Sequence, residues 1–197
     1  MIKVNEIEKI AQQIQQDPAN HPYTSQGWRP IFQAPLEARM VIVGQAPGAR
    51  AQASGVCFDD LSGNRLREWL GVSEEQFYQS GQIAVLPLDF YFPGKGKTGD
   101  LAPRKGFAEK WHPLILEQLN EVELIILAGA HAQAHYLGKR RYKTLTQTVQ
   151  HYQEYLPTFF PIPHPSPLNG RWLKKNAWFE KEVVPDLRER VSRLINC

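Results

Sequence analysis

Apolar residues recur at spacings of three and four at Val4, Ile7, Ile10, Ala11 and Ile14. That spacing predicts one buried face of an amphipathic helix. The helix should stop before Asp17-Pro18, because the residue preceding a proline resists the α region. Residues 18–38 hold five prolines or glycines and predict a long loop. A loop of that length belongs in a compact domain only if it covers a site or is packed down, and Trp28 is the side chain to pack it. Four short apolar runs predict buried strands: Met40 to Val43, Ile83 to Leu88, Leu124 to Ala128 and, more weakly, Phe159 to Ile162. Helical faces lie between and after them. Leu66, Trp69 and Leu70 form one; Leu114, Ile115 and Leu119 form another, behind a Pro113 suited to a first turn. Leu145, Val149 and Tyr152 form a third. The last helix should run from about Ala177 to Ile195, with Val183, Val184, Leu187, Val191 and Leu194 inward.

Strands alternating with helices predict a parallel sheet covered on both faces. The expected fold is α/β: a three-layer α/β/α sandwich around a four-stranded, mainly parallel sheet. In such folds ligands sit beyond the carboxyl ends of the strands. Chemistry is therefore sought in Gly44–Phe58, Asp89–Arg104, Gly129–Gln133 and Pro163–Arg171. The 197 residues suit a single domain, 1–197. Charge adds little: 23 basic against 20 acidic side chains leave +3, a mild lean toward anionic partners. Cysteine count excludes more. Cys57 and Cys197 alone cannot build a disulfide scaffold, a four-thiolate zinc site or an all-cysteine iron–sulfur cluster. No apolar run approaches eighteen residues, and the first sixteen lack the continuous apolar core of a signal peptide. The cytoplasm is the expected compartment, a monomer the expected state, and no metal or cofactor is expected.

Four segments carry candidate chemistry. Gly44-Gln45-Ala46-Pro47-Gly48 follows the first strand as a tight turn, offering the amides of Gln45 and Ala46 to a ligand oxygen. It lacks the Gly-Lys-Ser/Thr of a P-loop and is not G-x-G-x-x-G. Phe58, among Gly55, Asp59, Asp60, Ser62 and Gly63, suits a stacking platform for a planar ligand. Phe90-Tyr91-Phe92 runs into a glycine- and lysine-rich loop with Lys95 and Lys97, a pairing of base-stacking and phosphate-binding residue types. In Pro163-His164-Pro165-Ser166-Pro167-Leu168-Asn169, three prolines hold His164 and Ser166 on a stiff path. Stiffness lowers the entropy lost on binding. His131 and His135 are four apart on an expected helix, but no glutamate lies between them and no third ligand is evident.

The pair Gly-Gln-Ala-Pro-Gly near residue 45 and His-Pro-Ser-Pro-Leu-Asn near residue 165 resembles the two signature motifs of the uracil-DNA glycosylase superfamily. Order and separation agree, and Phe58 stands where that superfamily carries its uracil-stacking phenylalanine. The stretches 91–101 and 172–180 resemble a bacterial glycosylase-like subgroup, so the likeness covers roughly residues 40–190. The resemblance implies a monofunctional enzyme that flips uracil, or a related deaminated base, out of DNA and hydrolyses its N-glycosidic bond, initiating base-excision repair. It implies a hydrogen bond from His164 to uracil O2, stacking on Phe58, and a pocket lined by Gly44, Gln45, Ala46, Pro47 and Gly48, with Gln45 and the amides around Ala46 placing the attacking water. Ser166 would hold a flanking phosphate, with Pro167 and Asn169 beside it. Leu168 would fill the gap left by the flipped base, and Arg171, Lys174 and Lys175 would track the DNA backbone.

Departures from the pattern are informative. Some members carry an aspartate where Ala46 stands, to activate water; Asp59, Asp60 or Asp89 are the substitutes within reach of sequence reasoning. Members read uracil with an asparagine after the second strand, yet no asparagine occurs between Asn64 and Asn120. Asp89, Tyr91 or a backbone group would take that task. The thermophilic type holds a four-cysteine cluster that this chain cannot form. Neither motif contains lysine, which implies water and not an amine as nucleophile. Ala46 and the missing asparagine also leave open a non-catalytic nucleic-acid-binding protein on the same fold. An enzyme for free nucleosides is the third possibility, and Leu168 argues against it, since a wedge has no purpose without a duplex.

Overall fold

A computed structural model describes residues 6–195. Val4 and Cys197 lie outside the described residues. Four strands form the sheet: β1 (Met40–Val43), β2 (Ile83–Val85), β3 (Leu124–Ala128) and β4 (Phe159–Ile162). Their order is β2-β1-β3-β4 and every pairing is parallel, so the sheet is wholly and not just mainly parallel. Among the described residues ten α-helices flank it. They are α1 (Glu6–Gln16), α2 (His21–Thr24), α3 (Ala49–Ser54), α4 (Leu61–Leu70), α5 (Glu74–Gln79), α6 (Phe107–Leu116), α7 (Ala130–Leu137), α8 (Leu145–Gln150), α9 (Gly170–Lys175) and α10 (Val184–Ile195). Among the described residues no helix is long and apolar enough to cross a membrane.

Strand alternation sorts the core into two layers. Met40, Ile42, Ile83, Val85, Ile126 and Phe160 pack with Leu66, Trp69, Leu70, Phe77, Leu187 and Val191 of α4, α5 and α10. Val41, Val43, Ala84 and Leu127 face the other way, onto Ile7, Ile10 and Ile14 of α1, Phe107, Trp111 and Ile115 of α6, and Ala132 and Leu137 of α7. These helices therefore each bury one stripe against one face of a sheet only three to five residues deep.

Several expected boundaries shift for identifiable reasons. The second strand stops at Val85, although Leu86 and Leu88 continue to donate to the carbonyls of Ile42 and Gly44. Pro87 shares the outer side with Val85, whose N–H donates to Gln33, and has no N–H to extend that bridge. Helix α6 begins at Phe107, and Pro113 lies inside it. The last helix is preceded by a π-helical turn, Phe179–Val183. The expected loop 18–38 holds a 3-10 turn (Pro18–Asn20), α2 and a single antiparallel bridge from Gln33 to Val85 on edge strand β2. Trp28 does pack it down, ringed by Tyr23 and Phe92. The other edge strand, β4, carries Pro161.

The path β1 to β2 turns to one side of the sheet, and β3 then joins β1 on the other side. Loops leaving β1 and β3 diverge at that switch point and open a crevice.

Candidate active site

A cavity of about 410 Å³ occupies that crevice, inside the usual range of about 300–1,000 Å³ for ligand pockets. Its floor is the turn after β1: Gly44, Gln45, Ala46, Pro47 and Gly48 all line it. Phe58, Asp60, Asp100, His164, Ser166 and Leu168 complete the part of the wall that bears on chemistry. A smaller recess of about 210 Å³ adjoins it and shares Gln45, His164 and Asn169.

Phe58 is built to stay still. It is a non-glycine residue in the left-handed region, φ 53°. Its carbonyl accepts from Arg67 Nη1 at 3.4 Å, and the preceding Cys57 carbonyl accepts from the Tyr78 hydroxyl at 2.7 Å. Two glycines make room for it. A Cβ on Gly63 would stand 1.7 Å from the Phe58 carbonyl oxygen, and one on Gly44 would stand 3.3 Å from the ring. The ring therefore lies against the backbone of the β1 turn.

His164 is fixed as firmly. Its Nδ1 faces the backbone N–H of Ser166 at 3.2 Å, and its carbonyl accepts from the Asn169 amide at 2.8 Å. A backbone N–H only donates, so Nδ1 must be the bare nitrogen and Nε2 carries the proton. Burial lowers the pKa of His164 below the ordinary histidine value. The site thus holds a neutral imidazole with one N–H to give. Gly129, at φ 92°, keeps the β3 loop close: a Cβ there would meet the His164 side chain at 3.1 Å.

The proline segment is tied to α4 by Arg65, whose Nη1 donates to the carbonyls of Ser166 (3.1 Å) and Pro165 (3.5 Å). Ser166 Oγ accepts from Leu168 N at 3.2 Å and caps a 3-10 turn over Pro167–Asn169. That turn holds Leu168 out with 79% of its surface exposed. The tip of the 94–101 loop touches it, since a Cβ on Gly99 would stand 3.8 Å from Leu168 Cδ1. Arg171, Lys174 and Lys175 follow on α9, all exposed.

Residues 31–188 match the family described as the uracil DNA glycosylase superfamily. The chain belongs to that superfamily. Its members are DNA-glycosylase-type hydrolases of DNA repair, and the matched span contains all four strands and every wall residue named above.

Against this superfamily frame, two expected base-reading residues are corrected. Asp89 is fully buried, and Arg104 grips both its oxygens, Nε at 2.7 Å and Nη2 at 2.8 Å. The N–H of Tyr91 adds a third bond, at 3.1 Å. An acid so engaged has no face left for a ligand, and it stands outside the cavity. Tyr91 is buried against Tyr23 and Phe107. Phe90 is likewise core and Phe92 packs on Trp28, so the aromatic trio anchors the 18–38 segment and does not form a stacking platform. Gln45 is on the wall, but its amide donates to the Leu101 carbonyl at 2.8 Å and pins the 94–101 loop. Asn169 serves His164, as its amide shows, and contributes to the wall. His131 and His135 lie on α7, with no group of three metal-ligating side chains among the described residues. Sequence reasoning missed Arg65, Asp100 and the steric demand on Gly63. Only the glycine left a trace, as a glycine inside a helical pattern.

Proposed function

We propose that this chain is a monofunctional DNA glycosylase that hydrolyses the N-glycosidic bond of uracil, or of a related deaminated base, in a nucleotide flipped out of DNA. One observation carries the proposal: a neutral His164, its Nε2–H fixed by the Ser166 amide, shares a cavity with the immobilised Phe58 ring. Breaking the bond leaves negative charge on the base and positive charge on the sugar. A preorganised donor at the base oxygen stabilises the first without solvent reorganisation. A stacked ring holds the base in register while charge develops. Leu168, exposed at the cavity edge, would occupy the gap in the duplex, and the exposed Arg171, Lys174 and Lys175 would meet phosphates. Lys95 borders the cavity, but its amine is paired with Asp100 at 2.9 Å. An amine held by a carboxylate is turned away from attack, which supports water as the attacking group.

The test is base release from labelled oligonucleotides carrying uracil, hypoxanthine, xanthine or mismatched thymine, single- and double-stranded, followed by alkaline cleavage at abasic sites. Wild type should release one of these bases. His164→Ala should lose about 10²–10³-fold in rate, as for removal of one oxyanion-hole donor, with DNA affinity retained. Salt-sensitive DNA binding without release of any base would replace the enzyme with a binding protein on the same fold.

A further inference from the structure

We propose that Asp60 is the catalytic base of this site, taking the place of the acidic side chain that Ala46 cannot supply. This assignment rests on the glycosylase reading above and names the group that handles its water.

The structure separates the candidate carboxylates. Asp89 is spent on Arg104 inside the core. Asp59 points to Arg50, 3.6 Å away, and is not on the cavity wall. Asp60 is on the wall, and its two oxygens have different tasks. Oδ1 accepts from the Gly63 N–H at 2.9 Å and caps α4. Oδ2 turns toward Gly48, where a Cβ would stand 3.7 Å from it. Asp100 approaches the same point from the 94–101 loop, its Oδ2 3.8 Å from that Cβ position, while its Oδ1 faces Lys95. The missing side chain of Gly48 thus leaves a space bounded by two carboxylate oxygens, at the end of the motif expected to place water. A water there has the polar partners it needs. Of the two acids, Asp100 is paired with Lys95, whereas among the described residues no lysine or arginine forms an ion pair with Asp60.

The C1′–N bond breaks and its electron pair leaves with the base, whose oxygen receives the His164 N–H hydrogen bond. The water oxygen bonds to C1′, and the proton it sheds passes to Asp60 Oδ2. The departing base anion is protonated from solvent, leaving an abasic site and a free base. The uncompensated carboxylate also faces the sugar as its positive charge grows.

Capping and catalysis are separable by substitution. Asparagine and serine are both good N-caps, so Asp60→Asn and Asp60→Ser keep an acceptor for Gly63 while removing the charge. Both should melt with wild type and bind uracil-containing DNA at least as tightly, yet lose about 10²–10⁴-fold in single-turnover base release, the usual worth of a positioned base. Gly48→Ala should also slow release, because φ −74° and ψ 170° admit alanine and its methyl fills the water's space. Full activity in either Asp60 variant overturns the assignment while leaving the glycosylase reading intact. So does a rate loss that merely follows a fall in melting temperature, the mark of a cap alone. A wild type that releases no base overturns both.

Discussion

Gly63→Ala is the sharpest steric perturbation the site allows. Gly63 is the third residue of α4, and its added methyl would lie 1.7 Å from the Phe58 carbonyl oxygen, 2.7 Å from the carbonyl carbon and 2.9 Å from the Phe58 Cβ. Ordinary contact begins near 3.4 Å, so helix and carbonyl must separate by roughly half the length of a hydrogen bond. The carbonyl has little freedom to retreat. It sits on a residue already at positive φ, bonded to Arg67 and next to the Cys57 carbonyl held by Tyr78. Overpacking of this kind costs about 1–3 kcal/mol, and backbone as the obstacle places it at the upper end. Alanine returns up to about 1 kcal/mol of helix propensity, leaving a net loss of about 2 kcal/mol. For a chain of this size that lowers the melting temperature by roughly 4–8 °C. Catalysis should suffer more, since about 1 Å of misplacement costs about 10²-fold and Phe58 must move with its carbonyl. Thermal denaturation, and single-turnover base release run below the melting range, read the two effects. Gly170→Ala is the control: φ is −58° and nothing lies within 4 Å of the added Cβ, so it should melt with wild type. A Gly63→Ala protein with unchanged melting temperature and unchanged rate would refute the claim that this contact sets the position of Phe58.

Two further outcomes follow from features away from that contact. His112 is buried, and desolvation lowers its pKa to about 4. The unfolded chain therefore takes up a proton near the ordinary histidine value while the folded chain does not. Stability contributed by the neutral form is complete above about pH 6.5 and falls as pH drops toward 4, by at most about 3 kcal/mol. Urea titrations of wild type and His112→Gln at pH 7 and pH 4.5 should give a smaller loss for the variant; equal losses would sink the linkage. Leu168→Ala should leave the melting temperature unchanged, because the side chain is 79% exposed, but should slow release from duplex far more than from single strands. Equal slowing on both would remove the wedge role.

Much of the architecture was legible because strand burial writes itself as short apolar runs ended by glycine. Met40 to Val43 before Gly44, and Leu124 to Ala128 before Gly129, match their strands residue for residue. The paired motifs located the crevice because each follows a short apolar strand, the first ended by Gly44 and the second by Pro163. Pairings between distant residues were not legible. Asp89 looked available because nothing near it in sequence announces Arg104, fifteen residues on, as its partner. Asp59 and Asp60 were indistinguishable as letters; capping geometry at the start of α4 separates them. Tyr91 follows the second strand, as a base reader should, but its ring is buried against Tyr23 and Phe107, residues remote in sequence from that strand.

The two borders of the sheet carry a consequence for behaviour in concentrated solution. An open strand border is a template on which a second chain can extend the ladder and begin a fibril. Here β4 breaks its own row of donors at Pro161, and the Gln33 bridge occupies β2 at Val85. With both borders blunted, strand-to-strand extension is opposed even in a protein that holds the Leu168 side chain 79% exposed.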